Sequence, residues 1–451
     1  MTRMSSLAGR SLAVGLILTA GLSVSGCNTL KNVFGSGSHA KYKGTGTRIP
    51  IAAFDQSLKV SDTLKGQDFY MPGPQAVTDW PDPGGPVDQS IEDADAGKGF
   101  AIAWKSGIGA GSDRKTYITA PPVTGDGRIY TLDGAAHVSA FDPATGRLLW
   151  RTDLAQRSHH DKEGFGGGVA FADGRVFISS GYRFVAAVDA ATGKEVWRQD
   201  TDAPVHGAPT VTGGRVMVTS VDDDLLTYDT QTGAPGWTYQ ALTEPASVLT
   251  ASSPTVSGDA VVAAFASGEL VALQTANGNG LWSVVLSKSN RNSALSEIRD
   301  IPGRPVIYHG DVYAVSHSGV FSDVDLHTGA QHWQVPVVSV STPWPAGDVV
   351  YVTDTAGEVI CISRDSGAVY WITDMNKDAK KKKDRGIWSG PIVADNHVVV
   401  VSTTGMAVEL NPKTGVAERK LKLGSPALQN PIAANGQLFV VTQAGELIAI
   451  R

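Results

Sequence analysis

A phrase of the form D-x-x-T-G-x-x-x-W recurs along the chain and limits its possible folds more than any other feature. The copies are DPATGRLLW to Trp150, DAATGKEVW to Trp197, DTQTGAPGW to Trp237, QTANGNGLW to Trp282, DLHTGAQHW to Trp333, RDSGAVYW to Trp371 and NPKTGVAER to Arg419. The phrase repeats about every 45 residues, and short β-branched runs separated by turns precede each copy. This period, with four short strands per repeat, predicts a β-propeller.

The chemistry of the phrase suggests a joint between blades. Its Asp can accept hydrogen bonds from its own downstream backbone and start a tight turn, and its Gly adopts a positive φ without steric cost. The Trp begins the outer strand of a blade and can fill the space beside the neighbouring blade. We therefore predict that seven tryptophans are structural joints: Trp104, Trp150, Trp197, Trp237, Trp282, Trp333 and Trp371.

The two ends of the repeat region are complementary. The last strands, within residues 431–451, stop where another phrase should follow, whereas residues 100–109 contain Trp104 and a strand without inner strands before it. Pairing these ends would remove two open sheet edges. We expect an all-β domain at residues 98–451, an eight-bladed β-propeller of four-stranded antiparallel blades. The N-terminal strand would close the ring against the C-terminal blade, and a seven-bladed ring is the alternative.

The N-terminus has the features of a secretory signal peptide, residues 1–26. Arg3 and Arg10 precede a short apolar run, and small residues lead to Val-Ser-Gly-Cys27. This ending resembles a bacterial lipobox, which implies cleavage before Cys27, lipidation of that cysteine and, with Asn28 following, delivery to the outer membrane. An ordinary signal peptide with an incidental cysteine is the alternative. Residues 27–97 are rich in Gly, Ser, Pro and Asp and predict a mostly irregular tether.

Composition and motifs exclude several functions. Charged residues make up 18% of the chain and the net charge is −6, so no strongly basic domain indicates nucleic-acid binding. Neither a G-x-S-x-G motif nor a phosphate-binding loop occurs. His159–Asp161 and Asp222–Asp224 lack the spacing of known metal motifs. We expect no catalytic residue, metal or cofactor. Lys377–Arg385 is a charged insert, either a solvated loop or a contact for anionic lipid or an acidic partner.

The repeat resembles the PQQ-type propeller repeats, and two families with this repeat are candidates. In the quinoprotein dehydrogenases the quinone lies on the propeller axis, and an adjacent cysteine pair commonly covers it. This chain has no adjacent cysteines, and Cys361 lies in an apolar strand. The lipobox and the whole propeller are more similar to the BamB-type outer-membrane protein assembly lipoproteins.

The resemblance to the BamB-type family also implies a site for partners. In that family two adjacent loops dock on the periplasmic POTRA domains of the barrel-insertion protein BamA. Residues 242–256 and 287–319 are similar to those loops, and by position the contacts would be Ala246, Val248, Leu249, Asp300 and Pro302. Leu249 and Pro302 depart from the Arg and Asp that the family often has there.

The predicted function is a non-enzymatic scaffold of the outer-membrane β-barrel assembly (BAM) machinery. It would be anchored by lipid at the periplasmic face of the outer membrane. Its partners would be BamA, other BAM components and unfolded outer-membrane proteins. A PQQ-dependent dehydrogenase and a propeller that binds glycan or peptidoglycan are the alternatives.

Overall fold

The computed structural model describes residues 58–88, 90–155, 166–242, 252–287 and 298–451. Within these ranges the strands form eight four-stranded antiparallel sheets, which confirms the eight-bladed propeller. None of the helical turns in the described ranges is long or apolar enough to cross a membrane.

The strands of the first four blades follow one another in chain order. Blade 1 contains β2 (Val123–Gly125), β3 (Arg128–Leu132), β4 (His137–Phe141) and β5 (Leu148–Asp153); blade 2 contains β6 (Gly167–Ala172), β7 (Arg175–Ser180), β8 (Phe184–Asp189) and β9 (Glu195–Asp200). Blade 3 contains β10 (Thr210–Thr212), β11 (Arg215–Thr219), β12 (Asp224–Asp229) and β13 (Pro235–Gln240); blade 4 contains β14 (Thr255–Ser257), β15 (Ala260–Ala264), β16 (Glu269–Gln274) and β17 (Gly280–Val285).

The remaining blades repeat the same order, except that the last one borrows its outer strand from the start of the domain. Blade 5 contains β18 (Val306–Tyr308), β19 (Asp311–Val315), β20 (Phe321–Asp325) and β21 (Gln331–Val335); blade 6 contains β22 (Trp344–Ala346), β23 (Val349–Thr353), β24 (Glu358–Ser363) and β25 (Val369–Asp374). Blade 7 contains β26 (Trp388–Ala394), β27 (His397–Ser402), β28 (Met406–Leu410) and β29 (Ala417–Lys422); blade 8 contains β30 (Ile432–Ala434), β31 (Gln437–Val441), β32 (Glu446–Ile450) and β1 (Ile102–Gly107). A 3₁₀ turn, Lys382–Asp384, lies in the exposed charged insert.

Ring closure occurs as the sequence predicts. Strand β1 pairs antiparallel with β32, with Ile102 opposite Ile450 and Gly107 opposite Glu446. Burial also follows the position of a strand in its blade. The second strand of blade 6 is buried along its whole length, whereas β1 alternates between half-buried and exposed residues. Middle strands lie between two neighbouring blades, while an outer strand has one face in water.

Because successive strands are antiparallel, each propeller face collects a particular set of loops. We call one the connection face: it carries the links from the outer strand of one blade to the inner strand of the next. It also carries the turns between second and third strands. We call the other the phrase face, because it carries the recurrent phrases and the turns between first and second strands.

Each of the seven tryptophans donates its indole N–H to a backbone carbonyl of the next blade. The bonds run from Trp104 to Pro143 (3.1 Å), Trp150 to Ala190 (3.0 Å), Trp197 to Thr230 (2.9 Å), Trp237 to Thr275 (3.0 Å), Trp282 to Leu326 (2.7 Å), Trp333 to Arg364 (2.6 Å) and Trp371 to Pro412 (2.9 Å). The glycine of the next phrase sits against the same ring. At Gly233, with φ of 73°, a Cβ would come within 2.7 Å of the Trp197 indole. A side chain there would therefore push the two blades apart.

The eighth junction, from blade 7 to blade 8, uses Arg419 where the others use tryptophan. Its guanidinium donates to the Lys98 carbonyl oxygen at 3.0 Å and lies 5.5 Å from the centre of the Phe100 ring. It also forms an ion pair with the buried Glu409 of its own blade. A planar cation therefore supplies both the N–H donor and the flat surface that an indole supplies elsewhere.

Residues 77–88 and 90–94, which we call the channel segment, line the axial channel at its phrase-face end. They bond the free edges of inner strands: Trp80 with Thr124, Pro81 with Phe171, Val87 with Val256, Asp88 with Ile307 and Ala94 with Val393. Trp80 is fully buried and stacks on Trp344 of blade 6, with ring centres 6.1 Å apart. Inner strands would otherwise expose unpaired N–H and C=O groups toward the axis. The segment is irregular in structure and still forms part of the core.

Candidate functional site

The connection face carries an exposed surface where blades 3, 4 and 5 meet. Leu242 follows β13 and is 69% exposed, and Val285 ends β17 and is 58% exposed. Glu269 and Arg299 lie beside them. We call these four residues the rim patch. It combines two large apolar side chains with one acid and one base, a composition suited to contact with another protein.

Local hydrogen bonds hold the rim patch together. Glu269 lies opposite Val285 in the blade 4 sheet, and its carboxylate accepts bonds from the Leu242 amide at 3.4 Å and the Ser283 hydroxyl at 2.9 Å. Arg299 packs over the neighbouring turn, since a Cβ on Gly268 would lie 2.9 Å from the Arg299 carbonyl oxygen. Three parts are therefore in contact: the end of blade 3, the β15–β16 turn of blade 4, and the link from blade 4 to blade 5.

Two of the residues assigned by resemblance lie just inside this surface. Asp300 is only 5% exposed, and its carbonyl oxygen accepts the His317 amide at 2.8 Å. Pro302 is buried and lines the axial cavity described below. Both residues shape the link between blades 4 and 5, and neither presents much side chain to solvent.

Several other predicted residues lie outside the described ranges. These are Cys27, the loop residues Ala246, Val248 and Leu249, and the segment His159–Asp161. Asp222–Asp224 is described and lies at the turn between β11 and β12, where the Asp223 carboxylate accepts the Ala266 amide of blade 4 at 2.9 Å.

The channel opens on the connection face as a cavity of about 290 Å³. Tyr117, Pro302, Thr342 and Ile387 contribute to its wall, and Arg304 lies where the cavity meets the channel segment, 3.5 Å from the Pro83 carbonyl oxygen. Burial lowers the pKa of Arg304 to about 10, opposed by the charge of Asp82. Arg304 therefore remains a cation at neutral pH.

Asp82 of the channel segment is buried near this arginine. Burial raises the pKa of Asp82 well above its usual range, while a hydrogen bond from the Val211 amide and the charge of Arg304 act in the opposite direction. Asp82 thereby reaches blade 3, whose inner strand contains Val211. The phrase-face end of the channel is thus filled by polar and aromatic groups of the chain itself.

Sequence patterns did not reveal the role of the channel segment or of Arg304. Pro, Gly and Asp in residues 77–94 are typical of a linker, although Trp80 is a large residue of a type that is usually buried for most of its surface. Arg419 could have been found, because it ends the one phrase without a tryptophan.

Comparisons of sequence and of structure with known proteins point to the same family. A family model described as "Outer membrane protein assembly factor BamB" matches residues 88–164, 134–373 and 376–451. The BamB of Alkalilimnicola ehrlichii is 30% identical over 361 residues, covering 79% of this chain and 90% of that protein. The crystal structure of BamB from Moraxella catarrhalis superposes with a TM-score of 0.68 at 19% identity, covering 78% of this chain and 99% of that one.

The same fold occurs in quinoproteins. The quinohemoprotein alcohol dehydrogenase from Comamonas testosteroni superposes with a TM-score of 0.63 at 15% identity, covering 82% of this chain and 80% of that one. Likeness at this level of identity establishes a common propeller architecture and nothing about chemistry.

Proposed function

This chain belongs to the family of the outer membrane protein assembly factor BamB, and on that premise we propose that it is a non-enzymatic scaffold of the β-barrel assembly machinery. In this proposal lipid on Cys27 anchors the chain at the periplasmic face of the outer membrane. The propeller docks on the POTRA domains of BamA, in company with other BAM components. It thereby helps to present unfolded outer-membrane proteins for insertion.

The observation that carries the proposal is the extent of the family match. The matched residues run from 88 to 451 with a gap of two residues and include every blade as well as the links between blades 3, 4 and 5. A match to repeats alone would favour any PQQ-type propeller. A match through the links favours a protein that uses the same surface as its relatives.

The rim patch is the docking surface in this proposal. Both apolar residues of the patch are exposed: Leu242 is the first residue of one loop that resembles the family's contact loops, and Val285 ends β17 just before the other. Ala246, Val248 and Leu249 would lie in the first of these loops, while Asp300 and Pro302 would hold the second in position from beneath. A rigid ring lowers the cost of ordering such loops when they bind.

The channel segment argues against the dehydrogenase alternative. Trp80 and Asp82 fill the phrase-face end of the axis, and the segment bonds inner strands of blades 1, 2, 4, 5 and 7. A quinone on the axis would have to displace these groups or use only the cavity on the connection face.

The docking proposal is tested by pull-down of BamA from detergent-solubilised envelope. Asp300→Arg is a poor test because that residue is buried, so we choose Leu242→Glu combined with Val285→Glu. We expect at least roughly a tenfold loss of recovered BamA, as for central apolar contacts of an interface. The matched control is Val416→Glu, at a residue 61% exposed in blade 7, which should bind as the unaltered chain does.

Undiminished recovery of BamA by the Leu242→Glu, Val285→Glu chain would refute the rim patch as the docking surface. If the unaltered chain itself recovers no BamA, the scaffold proposal fails. The same envelope preparation tests the anchor, because Cys27→Ala should move the chain from the membrane pellet to the soluble periplasmic fraction.

A further inference from the structure

Three consecutive strands of blade 5 bring together two carboxylates and an imidazole. Asp311 is the first residue of β19, Asp323 lies in the middle of β20, and His332 is the second residue of β21. The pairing of β20 with β21 shifts register between Asp323 and Val324, because His332 is an extra residue opposite that step. Such a bulge redirects a side chain, here toward the acids.

The distances match those between the ligands of one small metal ion. His332 Nδ1 lies 3.4 Å from Asp311 Oδ1 and 3.6 Å from Asp323 Oδ2, and one ligand atom from each residue lies within 4.8 Å of the others. A tetrahedral ion with ligands at about 2.1 Å holds those ligands about 3.4 Å apart. Small rotations of the side chains would bring the third pair to the same spacing.

One carboxylate oxygen of the buried acid in this cluster has no hydrogen-bond partner within the described ranges. The Asp323 side chain is 3% exposed, and its Oδ1 has no hydrogen-bond partner among the described residues. Two neighbouring carboxylates repel each other unless a cation lies between them. Arg364 acts on Asp323 from a greater distance, and its guanidinium is engaged with the Gly347 carbonyl oxygen at 2.9 Å and the Tyr308 ring.

The surroundings suit a metal ion in two further ways. The Tyr313 hydroxyl donates to Asp311 Oδ2 at 3.3 Å, which orients that carboxylate and leaves its other oxygen for an ion. The His332 side chain is 47% exposed, so an ion can enter from solvent and keep a water molecule as its fourth ligand.

We propose that blade 5 binds one divalent transition-metal ion of the Zn²⁺ class through Asp311, Asp323 and His332. Imidazole with carboxylates favours such an ion over Mg²⁺ or Ca²⁺, which prefer oxygen ligands only. The ion would cross-link β19, β20 and β21 on the phrase face, and it is independent of the rim patch and of docking.

The test uses the full mature chain, without an oligohistidine tag and stripped with a chelator, in equilibrium dialysis against Zn²⁺ with elemental analysis. We expect about one Zn²⁺ per chain and a rise in melting temperature with Zn²⁺ concentration. Co²⁺ should give visible absorption bands of a four-coordinate ion. His332→Ala and Asp311→Asn should each abolish the stoichiometric ion and the bands, since loss of one ligand in three removes the site.

His397→Ala is the matched control. His397 begins the second strand of blade 7, pairs with Glu418 at 3.1 Å and is not a ligand, so its variant should bind Zn²⁺ normally. Both ligand variants lie at partly exposed positions and leave the buried Asp323 in place. Absence of Zn²⁺ binding at micromolar concentration, or equal binding by both ligand variants and the unaltered chain, would overturn the proposal.

Discussion

Blades 5 and 7 share one frame and differ in how each accommodates a buried acid. Asp323 in blade 5 lies opposite Trp333, and Glu409 in blade 7 lies opposite Arg419. Most other blades have no buried acid at this position, because an alanine lies opposite the tryptophan. These pairs are Ala140 with Trp150, Ala187 with Trp197, Ala272 with Trp282 and Ala449 with Trp104.

The difference shows that the last residue of the phrase always bonds the next blade but neutralises a buried acid only when it is a cation. In blade 7 the joint residue is a cation, so Arg419 neutralises Glu409 and also bonds the next blade through the Lys98 carbonyl oxygen. In blade 5 the joint residue is Trp333, whose indole bonds the next blade but cannot neutralise Asp323. His332 on the paired strand lies 3.6 Å from Asp323, and the metal ion proposed above would supply the cation.

The largest effect should come from removing the cation of blade 7. Arg419→Ala leaves Glu409, with a side chain 4% exposed, buried without its partner and breaks the bond to blade 8. We expect the free energy of unfolding to fall by about 3 kcal/mol, typical of a broken buried pair. Denaturant unfolding followed by tryptophan fluorescence measures this loss.

The control replaces the Glu409–Arg419 pair of blade 7 with the alanine–tryptophan pair that most other blades have. Arg419→Trp alone should remain destabilising, whereas Arg419→Trp with Glu409→Ala should recover most of the lost stability, because it recreates the Ala–Trp pair of the other blades. Equal stability of these two variants would show that Glu409 does not need Arg419.

A smaller and opposite effect is expected in blade 5. Asp323→Ala creates the common Ala–Trp pair there and removes a buried carboxylate oxygen without a hydrogen bond. In chelator-treated protein we expect a gain of about 1 kcal/mol in the free energy of unfolding. In excess Zn²⁺ the order should reverse, because only the unaltered chain retains the proposed site. A loss of stability of Asp323→Ala in chelator would show that Asp323 does not lower the free energy of unfolding of the metal-free chain.

The smallest effect concerns the outer ion pair of blade 7. His397 Nε2 lies 3.1 Å from Glu418, whose side chain is 39% exposed. Solvent screens such a pair, so His397→Ala should change the free energy of unfolding by less than about 1 kcal/mol. A loss as large as that of Arg419→Ala would mean that the charges of blade 7 act as one network and cannot be compared residue by residue.

Much of the fold was predictable because the propeller is made from local repeats. Each phrase encodes its own turn and joint within nine residues, so counting phrases and matching the incomplete ends predicted eight blades and the pairing of β1 with β32. The family could likewise be inferred from the lipobox and the link segments. The site was less predictable, because the burial of Asp300 and Pro302 depends on neighbouring blades.

The sequence by itself determined the number of blades and the strand order, since those properties depend on short-range turn chemistry and on a period that is visible in one dimension. Only the tertiary structure decided which residues meet across the ring. The channel segment bonds inner strands of five blades, one as near along the chain as Thr124 and one as far as Val393. Arg419 replaces an indole at the last junction, and Asp311, Asp323 and His332 converge through a bulge. Such contacts depend on ring closure and strand register, which no local pattern of residues records.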